Sequence, residues 1–245
     1  MQSLAAPTVA IAHGGEVLRF TKRSGGGYDT QALPISAAAE HAHQSVFETG
    51  TKLALVPERL YRFEDRRDYL AGAYPTVSPA VGVAAVGAVG ALAVFEHDRA
   101  IPAGADVGHH LVQLLVNTGE DLRRLRSEFA LAFFLGTDLW LMLYREGNLA
   151  LAEGKPYRGE ADAIFHVASR MQHFGLDRAQ TPLFLAGAIA EGGTLDRQLG
   201  IYFDTHYLDA GLDALAEASP SAGLLLAFGQ ALRDRLGALT PKPNA

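Results

Sequence analysis

Apolar and polar positions change period several times along this chain, and each change marks a predicted element. Thr8–Ala12 (TVAIA) reads as a strand, Gly14-Gly15 as a turn, and Val17–Phe20 as the second arm of a hairpin. The glycine-rich stretch TKRSGGGYDTQ predicts a mobile surface loop. Leu53–Val56 predicts a short strand; Pro57 then opens a helix in which Leu60, Phe63 and Leu70 recur at near-helical spacing until Gly72. The run PAVGVAAVGAVGALAVFEHD, Pro79 to Asp98, is uncharged only as far as Glu96. It falls short of the roughly 20 strongly apolar residues that a membrane span needs. Built from Ala, Gly and Val, it predicts a buried strand pair.

Thr118 with Asp121 three residues on has the spacing of a capping box, and Leu122, Leu125 and Phe129 supply an apolar stripe for the helix it would start. From about Ala130 the pattern becomes that of strands: LAFFLGTDLWLMLY, the turn REGN, then LALAEG. EADAIFHVASRMQHFG predicts an amphipathic helix with Ile164, Val167, Ala168, Met171 and Phe174 on one face and Gly175 as its stop. The strand PLFLAG follows, then two helices, HYLDAGLDALAEA and GLLLAFGQALRDRLGAL, and a disordered tail, TPKPNA. The second half therefore runs strand, strand, strand, helix, strand, helix, the order of a ribonuclease-H-like lobe. The first half carries a looser version of the same order. Two such lobes make the actin-like architecture: an α/β chain divided into residues 1–126 and 127–245, with mixed sheets flanked by helices.

Composition narrows the function. In 245 residues, 49% are hydrophobic and 20% charged, enough apolar material for a substantial core. The net charge of −6 argues against a nucleic-acid backbone or an anionic membrane as partner. Arg123, Arg124 and Arg126 do not change this, because they sit among Glu120, Asp121 and Glu128 as a solvated helix face. The absence of cysteine removes disulfides, thiolate zinc sites and cysteine nucleophiles, and fits a reducing cytoplasm. MQSLAAPTVA lacks the basic and apolar regions of a signal peptide, so a cytoplasmic location is expected.

Familiar catalytic spacings are missing. His166 and His173 lie opposite the apolar stripe of their helix, beside Asp162 and Arg170, on a face that points to solvent. His41 and His43, and the adjacent pair His109-His110, lack the geometry of a ligand set, and no metal site is predicted. AVGAVG, Ala85 to Gly90, has alanine where a dinucleotide fingerprint needs its turn-forming glycine, and Gly154-Lys155 is followed by Pro156 rather than Ser or Thr. No serine occupies a G-x-S-x-G elbow. The acid pairs Glu64-Asp65 and Asp209 with Asp213 read as charged helix faces. What remains is Leu183–Leu199: a strand, a glycine turn and a helix start. That is either a cradle of backbone amides for an anion or nucleoside, or a tight connection in which Gly187, Gly192 and Gly193 permit positive φ.

Two blocks, KLALVPERLYRFEDRRDYL and the run from LWLMLYREGNLALAEGKPY through TPLFLAGAIAEGGTLDRQLGIYF, resemble the bacterial family catalogued as domain of unknown function 3822. The resemblance spans roughly Lys52 to Phe203 and is carried by L-V-P-E at Leu55–Glu58, by REGNL, and by TPLFLAG followed by YF. It implies an actin-like ATPase fold in which nucleotide sits between two ribonuclease-H-like lobes. Two hairpins would hold the phosphates, each with an Asp near its turn to manage the metal, and a late glycine pair would hold the adenosine. On that basis Gly136, Thr137 and Asp138 match the second phosphate hairpin, AHGGEV the first, and Gly187, Gly192 and Gly193 the adenosine segment. The first hairpin has His13 where an acid is expected. In the second, Asp138 follows the turn instead of preceding it, and Gly187 stands apart from Gly192-Gly193. Magnesium nucleotide needs hard oxygen ligands. The expectation is accordingly a cytoplasmic interaction scaffold with hydrolysis lost, no catalytic residues, no required cofactor and a protein partner. The alternative is an ATPase or kinase that uses ATP and magnesium.

Overall fold

The computed structural model describes residues 8–13, 16–22, 28–34, 52–55, 59–65, 81–86, 91–96, 106–208 and 225–233. The chain divides into two compact units, Met1–Leu114 and Leu115–Ala245.

In the first unit, β1 (Thr8–His13) and β2 (Glu16–Lys22) form the expected hairpin, with His13 opposite Glu16. β3 (Tyr28–Pro34) pairs antiparallel with β2. β4 (Lys52–Leu55) runs parallel to β1, and β8 (Asp106–His110) runs parallel to β4. The sheet order is β3-β2-β1-β4-β8. Between β4 and β8 the chain makes a separate antiparallel sheet from β5 (Arg59–Asp65), β6 (Val81–Val86) and β7 (Ala91–Glu96), ordered β5-β7-β6. The Ala/Gly/Val run is thus a strand pair, as its composition suggests.

Helix α1 (Leu111–Leu122) leads into the second unit. There β9 (Phe129–Leu135), β10 (Asp138–Arg145) and β11 (Asn148–Pro156) form an antiparallel meander, followed by helix α2 (Glu160–His173). β12 (Pro182–Gly187) then lies parallel to β9. Helix α3 (Thr194–Tyr202) leads to β13 (Asp204–Tyr207), parallel to β12, and residues 225–233 form helix α4. The order is β11-β10-β9-β12-β13. Both five-stranded sheets thus follow one plan: three antiparallel strands, the first of which pairs in parallel with a fourth, and the fourth with a fifth. The internal repeat is one of topology.

Side chains alternate along the second sheet. Ala132, Phe134, Leu141, Leu143, Leu183 and Leu185 pack with Ala163, Val167 and Met171 of α2 and Leu199 of α3. The other set is buried too: Phe129, Leu131, Phe133, Met142 and Tyr144 are all 0% exposed. Tyr144 stacks on Phe129 with ring centroids 4.6 Å apart. Its ring also fills the space at Gly119, where an added Cβ would sit 2.5 Å from it. Its hydroxyl lies 3.2 Å from both the Val116 carbonyl and a Glu120 carboxylate oxygen, either of which can accept its proton. Burial first, and then Glu120, push this phenol far above its ordinary pKa, so it stays a donor. Tyr144→Phe keeps the packing and loses the bond. Urea denaturation should show a loss of about 1 kcal/mol, and an unchanged midpoint would mean the hydroxyl contributes nothing.

Several sequence expectations fail. Over Arg59–Asp65 the helix expected after Pro57 is in fact strand β5, while Leu70 and Gly72 lie outside the described residues. A pairing irregularity between Leu60 and Arg62 admits an extra residue, and three-residue spacing then mimics a helical period. Glu64 and Asp65 therefore belong to a strand. Thr118 does not start a helix: it lies inside α1, 1% exposed, and Phe129 opens β9. Arg123 and Arg124 fall in the turn that ends α1, with Arg126 just after it. Tyr28–Gln31, read as loop, belongs to β3, and His206-Tyr207, read as helix, belongs to β13. His41, His43, Asp209, Asp213 and the C-terminal tail lie outside the described residues, as do the turn glycines Gly14 and Gly15. Among the described residues no helix is long and apolar enough to cross a membrane, a statement that concerns helices alone.

Candidate functional site

Gly136 and Thr137 form the two-residue turn joining β9 to β10, with Leu135 paired to Asp138 across its base. Gly136 has φ +57, as the first position of such a turn requires, and an added Cβ would meet nothing within 4 Å. Tyr157, just past β11, closes over this turn. Its hydroxyl donates to the Gly136 carbonyl at 3.0 Å and its amide to the Thr137 carbonyl at 2.8 Å. Its ring meets the buried Phe134 edge-on at 6.0 Å. Burial first, and then the Asp138 carboxylate, raise the Tyr157 pKa.

Gly187 ends β12 in register with Phe134, so the strand ends of β9 and β12 bring Gly187 beside the Gly136–Asp138 hairpin. Its φ is +86, and an added Cβ would collide with the Phe134 carbonyl oxygen. The next amide, Ala188, donates to that same carbonyl at 2.6 Å. Gly229 of α4 lies against it: a Cβ there would come 3.2 Å from the Gly187 nitrogen. Gly187 is therefore a packing glycine.

Gly192 and Gly193 lie farther along, where Gly193 caps α3. The Gly192 amide already has an acceptor, since Asp196 Oδ2 takes it at 2.7 Å from the first turn of the helix. This resembles a capping box in which an acidic side chain satisfies an amide at its own helix start. Tyr207 stands close to the same carboxylate; burial and then Asp196 push its phenol well above the ordinary range. Its buried oxygen makes no well-directed hydrogen bond to that acid, so we read the relation as electrostatic.

One cluster escaped the sequence reading. His166 and Arg170, read as facing solvent, face Glu153 of β11. Arg170 donates from Nε at 2.6 Å and from Nη2 at 3.1 Å to the two carboxylate oxygens. His166 Nε2 lies 3.0 Å from Oε1, without hydrogen-bond alignment. Burial pulls the Glu153 carboxyl up, but the contacts from His166 and Arg170 outweigh it and hold the pKa at about 2. The i, i+4 spacing on α2 was visible in the sequence; the acid across from it, on a strand, was not. Among the described residues no group of three or more acidic, histidine or cysteine side chains is placed to hold a metal ion.

Comparison with known proteins bears on the fold. No family model matches the sequence, and no curated protein matches it. A Bacteroides thetaiotaomicron protein with an actin-like ATPase fold and unknown function superposes with a TM-score of 0.60 at 12% identity, covering 91% of this chain and 96% of that one. A PilM-PilN type IV pilus biogenesis complex superposes with a TM-score of 0.53 at 9% identity, covering 96% and 99%. The fold is the actin-like ATPase fold.

Proposed function

We propose that this chain is a cytoplasmic scaffold that binds another protein through an actin-like fold without hydrolysing nucleotide. We also propose that it belongs with the domain of unknown function 3822 proteins, on the motifs described. The observation that carries the functional reading is the bond from Gly192 to Asp196. A glycine turn at a helix start attracts an anion through unsatisfied amides and a positive helix end. Here a carboxylate of the chain itself already sits there, so a nucleotide would have to displace or tolerate it. At the hairpin, the Gly136 and Thr137 carbonyls are both bonded to Tyr157, which takes up two oxygens that could otherwise serve a cation. Asp138 is the one acid at that turn, and His13 takes the place of an acid in the first hairpin. These residues fit a magnesium nucleotide poorly. The pilus complex, solved with two different proteins together, lends support to a role in protein association.

Asp138 beside the turn favours the second reading, an ATPase or kinase. Thermal unfolding separates the two. A ligand at about 100 times its Kd stabilises by about 2.7 kcal/mol. The scaffold reading expects no shift in Tm at millimolar Mg-ATP. The absence of a shift would rule out the second reading. A clear upward shift should lose its magnesium dependence in Asp138→Ala, and survival of that dependence would reject Asp138 as the residue that holds the metal.

A further inference from the structure

We propose that Tyr157 is a lock on the central peptide of the Gly136–Thr137 turn, fixing which way that peptide faces. Two-residue hairpin turns come in two forms that share a positive φ at the first position and differ by a flip of the peptide between the two loop residues. One form needs positive φ at both loop positions, the other only at the first. Gly136 has φ +57 and Thr137 is not in the positive region, which is the second form, type II′. A flip would force the β-branched Thr137 to positive φ, a conformation such residues resist.

Tyr157 adds a direct restraint. Its hydroxyl donates to the Gly136 carbonyl, the oxygen that a flip would turn away, and its amide donates to the Thr137 carbonyl. The donor itself is anchored. Its ring rests on the fully buried Phe134, and Pro156, paired opposite Asp138, fixes the backbone just before it. The raised phenol pKa keeps the hydroxyl protonated and donating. The peptides are trans, so the Thr137 N–H points opposite to the Gly136 carbonyl, away from the phenol. The turn therefore presents one preset donor, and an oxygen acceptor reaching it would pay no reorganisation cost. This holds whether the acceptor belongs to a protein or to a nucleotide, and it does not rest on the scaffold reading.

Amide and carbonyl NMR on the full chain tests it. Tyr157→Phe keeps the ring contact and removes the hydroxyl. The Gly136 carbonyl and Thr137 amide signals should shift or double as the flipped turn becomes populated. The methyl signals of Val167 and Met171 should stay in place as a control for the fold. Unmoved Gly136 and Thr137 signals overturn the proposal. So does Thr137→Gly if, with Tyr157 intact, it alone populates the flipped turn as fully as the double variant, since the restraint would then be Thr137 and not Tyr157. Should Tyr157→Phe fail to fold, the unaltered chain decides. Raising the pH through the ionisation of Tyr157 should move the Gly136 carbonyl signal in step with the phenol, and a carbonyl that does not follow overturns the lock.

Discussion

Gly187→Ala is expected to destabilise the second unit by about 4 kcal/mol, combining the strain of a positive φ with the displacement of packed backbone. The methyl group would enter the Phe134 carbonyl oxygen and come 2.9 Å from the Phe134 nitrogen, and Gly187 itself has φ +86. Backbone atoms cannot swing aside as a flexible side chain can. Relief would have to come from unpairing β12 from β9 or lifting α4, where Gly229 approaches. Gly192→Ala is the matched control. That residue is also at positive φ, +69, but nothing lies within 4 Å of its added Cβ. It should cost only about 1 kcal/mol. Urea unfolding of both variants, followed by circular dichroism, measures the difference. Equal losses would show that φ strain alone, and not the contact with Phe134, makes Gly187 necessary.

The second large effect is at Glu153, and it depends on pH. Folding lowers this carboxyl from 4.5 to about 2. A depressed acid contributes stability that is fully present above its unfolded pKa and is lost as pH falls through its folded one. The shift sets a ceiling of roughly 3 kcal/mol. Arg170 is 32% exposed, and solvent screening brings the expected contribution to about 2 kcal/mol. Glu153→Gln should therefore unfold about 2 kcal/mol more easily than the parent at pH 6. The gap should narrow steadily between pH 4.5 and pH 2, because both chains then carry a neutral group at this position. A gap that stays constant down to pH 2 would show that Glu153 acts through packing and not through charge.

The second unit was largely legible in the sequence because its strands are long apolar runs bounded by short turns. The run from Ala130 to Leu135, the turn REGN and the stripe of α2 each have one plausible reading. α1 was misread for a physical reason. Its buried stripe runs Leu111, Leu114, Leu115, Thr118 and Leu122, so a threonine stands where an aliphatic residue would have announced the helix. Spaced three residues before Asp121, that threonine imitated a cap. Gly119 leaves the space that the Tyr144 ring fills, a partner distant in sequence. The candidate site was legible as positions but not as contacts. The chain order placed Gly136, Gly187 and Gly192, whereas the groups that occupy them, Tyr157, Phe134 and Asp196, show only when strands and turns are brought together.

The separate three-stranded sheet of the first unit shows where this architecture can grow. Parallel neighbours cannot be joined by a tight turn and need a long crossover. In the second unit the crossover from β12 to β13 covers residues 188–203 and is filled by α3. In the first, the corresponding link between β4 and β8 covers residues 56–105 and houses a whole extra sheet. No strand pairing of the five-stranded ladder passes through that link. It is a socket: a module can be inserted, exchanged or trimmed there while the ladder keeps its order, so two lobes of one plan can differ widely in size.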